Sequence, residues 1–188
     1  MTDCLFITSS KARAVQFSVY PYLGVGYLST LLKRDNIFCK LYDIDVQGTK
    51  LHKLLKLIEN EKPLVVGYSI MSISLPLFYK ITKLIRARFP GIIIVAGGPH
   101  VTSDSNIISE MGVDYGFSGH SEISFIRFMQ KIKSGSHDFT DINGMIIPSL
   151  NRADPPVLYD VSKADYIPDY SLYKMSKYQN IFYSRKWF

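Results

Sequence analysis

FPGIIIVAGGPHVT (residues 89–102) holds an apolar run, Ile92–Ala96, that stops abruptly at Gly97-Gly98-Pro99. A short continuous apolar run bounded by turn residues predicts a strand covered on both faces. Gly-Gly-Pro ends it, and Ser103 or Asp104 then opens a short helix to Met111. Immediately upstream, Ser72 or Ser74 starts a helix to Phe89. Pro76 falls in its first turn, where a missing N–H costs nothing. Before that helix, Leu64–Ser69 is another apolar run.

The alternation continues in both directions. Cys4–Thr8 predicts the first strand, ending in Ser9-Ser10, and a polar loop follows to Tyr20. Pro21 starts a helix to about Arg34, and Ile37–Tyr42 forms the second strand, ending at Asp43. Thr49 caps a helix to about Asn60, with Leu51, Leu54, Leu55 and Ile58 on one face. Asp114–Phe117 is a fifth short strand, Ser121 with Glu122 begins a helix to Lys133, and Gly144–Pro148 is a sixth. The pattern is α/β: a doubly wound, mostly parallel sheet of about five strands, Rossmann- or flavodoxin-like. Residues 1–148 form this domain. Residues 149–188 are rich in Pro, Tyr, Asp and Lys without a period and predict an irregular C-terminal arm or linker.

The 188 residues, 47% of them hydrophobic and 20% charged, suit one globular domain with a real core. No apolar run reaches the roughly 18 residues that span a bilayer. The N-terminus lacks the basic start of a signal peptide, so a cytoplasmic location is expected. Cys4 and Cys39 sit in apolar stretches and pack as small hydrophobes, with no zinc-type spacing. The net charge of +6 is dispersed as Lys50, Lys53, Lys56 and Lys80, Lys83, Arg86, Arg88. That spacing predicts solvated helix faces, not a nucleic-acid groove.

Gly24-Val25-Gly26 looks at first like half of a dinucleotide fingerprint. That motif needs its glycines in the turn directly after the first strand. Here a polar stretch and Pro21 intervene, the glycines fall inside a helix, and the third glycine is missing. Glycine within a helix costs about 1 kcal/mol relative to alanine, so each of the two implies a close neighbour, backbone or ligand.

Ligands of open parallel sheets bind beyond the carboxyl ends of the strands. Those ends carry Ser9-Ser10, Asp43-Ile44-Asp45-Val46-Gln47-Gly48, Ser69 to Ser74, Gly97-Gly98-Pro99-His100, and Ser118-Gly119-His120-Ser121-Glu122. Small residues admit a large ligand to the backbone, and hydroxyls and helix N-termini supply donors. Taken singly, the serines are also plain helix caps, the aspartates helix N-terminal acids, and the histidines loop residues.

Five stretches together resemble the cobalamin-binding domain at the N-terminus of cobalamin-dependent radical S-adenosylmethionine enzymes. They are PYLGVGYLSTLLKRDN (21–36), LYDID (41–45), PLVVGYSIMS (63–72), FPGIIIVAGGPHVT (89–102) and DYGFSGHSEISFIRFM (114–129). INGMII (142–147) resembles the strand that follows, and SKADYIPDYSLY (162–173) the connector to a catalytic barrel. The resemblance implies a corrin ring across the strand ends, with its nucleotide tail beside the sheet. It implies a cofactor site made of Ser9, Asp43, Asp45 and Gly48, then Ser69, Met71, Ser72 and Ser74. Gly97, Gly98, Pro99, His100, Gly119 and Glu122 complete it. Ser69, Ser72 and Ser74 would meet the tail or the corrin amides, Gly97 and Gly98 would leave room for the tail, and the Ile70–Ile73 loop would face the lower side of cobalt.

One substitution that favours the radical-enzyme branch and two departures qualify what the resemblance implies. Asp45 stands where related methionine-synthase-like domains carry the histidine of a D-x-H-x-x-G motif, so no protein imidazole from this loop is expected on cobalt. Ser118-Gly119-His120-Ser121-Glu122 keeps only Gly119 and Glu122 of a family Gly-Glu-Gly-Glu. The C-x-x-x-C-x-x-C that holds a [4Fe–4S] cluster is not in the sequence, and NIFYSRKWF (180–188) resembles the stretch just before it. The cluster and S-adenosylmethionine would then enter only with a downstream or separate barrel. This chain would bind cobalamin without catalytic or metal-ligating residues of its own, and the longer protein would transfer methyl groups. The alternatives are a flavodoxin-like module for a nucleotide or flavin, and an interaction domain without a ligand.

Overall fold

All six residues of β1 (Cys4–Ser9) are buried, as a strand with helices on both faces requires. The computed structural model describes residues 2–9, 20–48, 50–158 and 165–178. β1 pairs in parallel with β2 (Cys39–Asp43) on one side and with β3 (Val65–Ile70) on the other. β4 (Ile93–Gly97) and β5 (Tyr115–Phe117) extend the parallel sheet beyond β3. The full order is β2-β1-β3-β4-β5-β6-β7. The chain leaves β1 in one direction and returns on its other side, so a topological switch point lies between β1 and β3.

The sixth strand falls where it was expected, and a seventh follows it. β6 (Met145–Ile147) runs antiparallel to β5, and β7 (Arg152–Ala153) antiparallel to β6. The sheet is therefore seven-stranded and mixed, and it continues past Pro148 into the segment expected to be an irregular arm. Arg152 holds this corner by donating to the Thr140 and Ile142 carbonyls, both at 2.9 Å, while pairing with Asp154.

Helices cover both faces. α1 (Leu23–Arg34) begins two residues after Pro21, and α2 (Ile44–Gln47) is a single turn capped by Asp43. α3 (Leu51–Glu61) has Lys50 at its N-cap; the expected Thr49 cap lies outside the described residues, as does most of the polar loop after Ser9. α4 (Leu75–Arg88) follows a one-turn 3-10 segment at Ser72–Ser74. An unexpected short helix, α5 (Pro99–Ser103), comes next, and the helix expected from Ser103 or Asp104 to Met111 starts later, as α6 (Ile107–Met111). Pro99 suits a first helical position, and Asp104 breaks the continuation by accepting from the Asn106 N–H at 3.1 Å. α7 (Glu122–Lys133) matches its expected bounds.

α3, α4, α5 and α6 cover one core, which includes Ile7, Tyr68, Phe78 and Ile85. α1 and α7 cover the other, which includes Phe6, Val95, Phe117 and Phe128. Phe78 and Phe128 are fully buried, each contributing roughly 2–3 kcal/mol. Cys4 and Cys39 are register partners on β1 and β2, both free. Among the described residues no helix is long and apolar enough to cross a membrane.

Residues 165–178 lie against α1 and the β2 edge. The Asp169 N–H donates to the Gly26 carbonyl (3.0 Å), Ser29 Oγ donates to Asp169 (2.6 Å), and Lys33 pairs with the same carboxylate. Tyr173 Oη donates to the Tyr22 carbonyl at 2.6 Å. This segment, the expected connector, is thus bound to the domain through α1.

Candidate functional site

Side chains alternate along each strand, so the α1/α7 face can be read rung by rung. On β1 this face carries Cys4, Phe6 and Thr8; on β2, Cys39, Leu41 and Asp43; on β3, Val65, Gly67 and Ser69; on β4, Ile93, Val95 and Gly97. Register aligns Asp43 with Thr8, Thr8 with Ser69, and Ser69 with Gly97. The last rung at the carboxyl edge therefore reads Asp43, Thr8, Ser69, Gly97. The rung beneath reads Leu41, Phe6, Gly67, Val95.

A cavity of about 350 Å³ opens at this edge and runs between the sheet and helices α1 and α7. Of the expected site residues, Ser69, Met71, Gly97, Gly98, Pro99, Gly119 and Glu122 line it. Ser72 and His100 are joined to each other at the strand ends, Oγ to Nδ1 at 2.9 Å. Ser74 is fully buried and closes its own turn by donating to the Met71 carbonyl at 2.8 Å. Ser9, Asp43, Asp45 and Gly48 form a separate group at the β1/β2 edge and do not line the cavity. There Ser9 donates to Asp45 (3.3 Å), Asp43 accepts from the Asp45 N–H (2.9 Å), and Gly48 ends α2 at φ 88°.

Asp43 is held from outside the sheet. Tyr178 Oη donates to Asp43 Oδ2 at 2.7 Å, across 135 positions of sequence, with both residues buried. Burial pushes the Asp43 carboxyl up to about 6; the Tyr178 hydrogen bond opposes this shift and the nearby Asp45 charge adds to it. Burial also raises the Tyr178 phenol far above its ordinary value, and the Asp43 charge adds to that shift.

The two glycines of α1 do different jobs, and neither packs on the sheet. Gly24 lines the cavity, with nothing within 4 Å of where a Cβ would stand. A Cβ on Gly26 would lie 2.9 Å from both Pro168 and the Tyr173 hydroxyl, so its missing side chain admits the connector.

Gly98 turns the chain at φ 103° and ψ 177°, a region open essentially only to glycine. A Cβ there would stand 2.8 Å from the Ile70 nitrogen. Gly98→Ala is therefore expected to destabilise the fold by at least about 2 kcal/mol in urea denaturation. An unchanged midpoint would show that the turn is not held against β3 in this way.

Several polar atoms at this edge are buried and, among the described residues, have no hydrogen-bond partner: Thr8 Oγ1, His100 Nε2 and Glu122 Oε2. Buried polar atoms are nearly always satisfied, so these three are open to a further partner, and of them Glu122 lines the cavity. Sequence reading missed Thr8, because a threonine inside an apolar strand carries no local signal; only its register between Asp43 and Ser69 reveals it. Thr102 was missed as well. It accepts from the Gly119 N–H at 3.0 Å and donates to the Gly98 carbonyl at 3.2 Å, fastening two cavity turns together.

Comparison with known proteins bears on the fold and the family. A curated relative, the cobalamin-dependent radical SAM methyltransferase TokK of Streptomyces tokunonensis, is 26% identical over 147 residues, covering 74% of this chain and 22% of its own length. The uncharacterized methyltransferase PH0819 of Pyrococcus horikoshii is 23% identical over 178 residues, covering 92% of this chain and 38% of its own. The chain thus spans well under half the length of either relative. The solved structure of the cobalamin-dependent S-adenosylmethionine radical enzyme OxsB, with aqua-cobalamin and S-adenosylmethionine bound, shares the fold. Its TM-score is 0.74 at 17% identity, over 89% of this chain and 24% of that one. The family model of the B12 binding domain matches residues 11–128, from the segment after β1 into α7. The chain belongs to the B12-binding domain family.

Proposed function

We propose that this chain binds cobalamin and serves as the corrinoid-holding part of a radical S-adenosylmethionine methyltransferase. One observation carries the reading: a cavity at the carboxyl edge, beside the β1/β3 switch point, walled by side-chain-free Gly24 and Gly97 and carrying on its wall Glu122, whose Oε2 is buried without a partner among the described residues. A Cβ on Gly24 would meet nothing, so the space beside α1 is open to a ligand group. The nucleotide tail would enter between Gly97 and α1, with Ser69 beside it. The corrin amides would meet Glu122, His100 and Ser72 at the rim.

The exposed apolar side chains Met71 and Ile73 would lie beneath the ring and keep water from it. Asp45 would not reach the metal, since it is nearly buried and held by Ser9. When bound, the cofactor supplies a cobalt centre that carries a methyl group. The [4Fe–4S] cluster and S-adenosylmethionine would belong to a barrel on the same polypeptide or on a separate one. A reducing cytoplasm suits Cys4 and Cys39, which lie side by side and free.

Mixing with hydroxocobalamin followed by desalting is expected to leave a visible corrin band with the protein. Retention of a flavin or nucleotide in place of a corrin would sink the proposal.

A further inference from the structure

The cavity is polar at its mouth and apolar at its floor. Ser69, His120, Ser121 and Glu122 stand toward the opening. The floor is made by Phe6, Val25, Gly67, Val95, Phe117 and Phe125, all buried. None of these six side chains can donate or accept a hydrogen bond; Tyr22, which also lines the cavity, carries a buried hydroxyl that already has an interaction. The strand backbone beneath is committed to the ladder, since Phe6, Gly67 and Val95 are consecutive register partners. Two ring pairs form an aromatic corner, Phe6 with Phe125 at 5.5 Å and Phe117 with Phe125 at 5.4 Å between centroids. Gly67 is required for this depth, because a Cβ there would already lie 3.0 Å from the Phe6 ring.

Resting on the reading that a corrinoid tail fills this cavity, we infer that the floor selects among corrinoids by the base at the end of that tail. It accepts a benzimidazole and discriminates against a purine. The outer edge of dimethylbenzimidazole is hydrocarbon, and on this floor it gives up only apolar contact with water. Adenine carries an amino group and ring nitrogens that are hydrogen-bonded in water. On a floor of phenyl rings and methyl groups those atoms lose their water partners, and the six floor side chains offer none in return. The discrimination comes from the purine's unmet polar atoms, not from its size.

The test is a titration of the full 188-residue chain with three probes, followed by the visible corrin bands: hydroxocobalamin, the corresponding corrinoid with adenine as its lower base, and cobinamide, which has no base. The adenine form is expected to bind about tenfold or more weakly than cobalamin. Cobinamide is also expected to bind more weakly, because it leaves the floor empty. Val95→Thr puts a hydroxyl of nearly the same volume on the floor and is expected to narrow the gap between the two base-bearing forms. Melting curves verify that the variant is folded, and the comparison in the unmodified chain decides the matter where it is not. Equal affinity for cobalamin and the adenine form overturns the inference and leaves corrinoid binding intact. So does cobinamide binding as tightly as cobalamin, since the base would then lie elsewhere. Retention of none of the three overturns the proposed function itself.

Discussion

Gly97→Leu is expected to abolish corrinoid retention while leaving the domain folded. The position lines the cavity, and it lacks the positive φ that makes its neighbour Gly98 irreplaceable. A Cβ at Gly97 would sit 3.6 Å from the Phe117 carbonyl oxygen, an ordinary contact. Glycine inside a strand is itself unfavourable by roughly 0.5–1 kcal/mol, so a larger residue does not weaken β4. The leucine side chain instead occupies the ligand's space. A loss of about 100-fold or more in affinity for hydroxocobalamin is expected, roughly 3 kcal/mol of binding free energy. The melting temperature should stay within a few degrees of the unmodified chain. Undiminished binding by a folded Gly97→Leu protein would place the ligand outside this cavity.

The second large effect concerns pH and the Tyr178–Asp43 contact. The Asp43 carboxyl is raised from 3.8 to about 6 in the folded chain, chiefly by burial. The folded state therefore prefers the protonated acid. Below the unfolded value both states are protonated and Asp43 costs nothing. Between about pH 4 and 6 the unfolded chain ionises first, so stability falls as pH rises, and above the folded value the loss is complete. A shift of this size corresponds to about 3 kcal/mol as an order of magnitude. Asp43→Asn keeps one oxygen to accept from the Asp45 N–H and turns an amide N–H toward the Tyr178 oxygen, and it is expected to remove this slope. The difference between the two proteins in urea denaturation should grow from pH 4 to pH 6 and then level off.

Asp169 works in a separate window. Burial alone would raise it, but hydrogen bonds from Lys33, Ser171 and Ser29 outweigh that and hold it at about 2. Its contribution is present above the unfolded value and is lost only as pH falls through the folded one. It does not overlap the Asp43 effect. A flat difference between the unmodified chain and Asp43→Asn across pH 4 to 6 would show that Asp43 is not buried as an acid.

The B12-binding assignment draws its strength from two levels that fail independently. The motif blocks are local in sequence, and they identify the strand ends even without a fold. The cavity is a property of the assembled sheet, formed only once register and helix packing bring its glycine-lined walls together. Their agreement at Ser69, Met71, Gly97, Gly98, Pro99, Gly119 and Glu122 gives the site its definition. Their disagreement at Ser9, Asp43, Asp45 and Gly48 is equally informative. Those residues shape the β2 end and the α2 turn beside the cavity, without entering its wall.

What the sequence alone determined was the part carried by local physics. Continuous apolar runs mark buried strands, proline and glycine punctuate the turns, and the helix bounds follow within a few residues, apart from the short helix at Pro99–Ser103, where the local signal reads as a turn. The strand ends, and with them half of the site, follow from the same local signals. Tertiary structure alone decided which residues meet across the sheet. Thr8 becomes a candidate only because register sets it between Asp43 and Ser69. Gly24 and Gly26 part company only when α1 is placed between the cavity and the connector. The two-residue strand β7 and the reach of Tyr178 back to Asp43 leave no trace in periodicity, because each depends on a partner far along the chain. Contacts of that range are specified by how surfaces fit after the core has formed, and no short window of sequence records that fit.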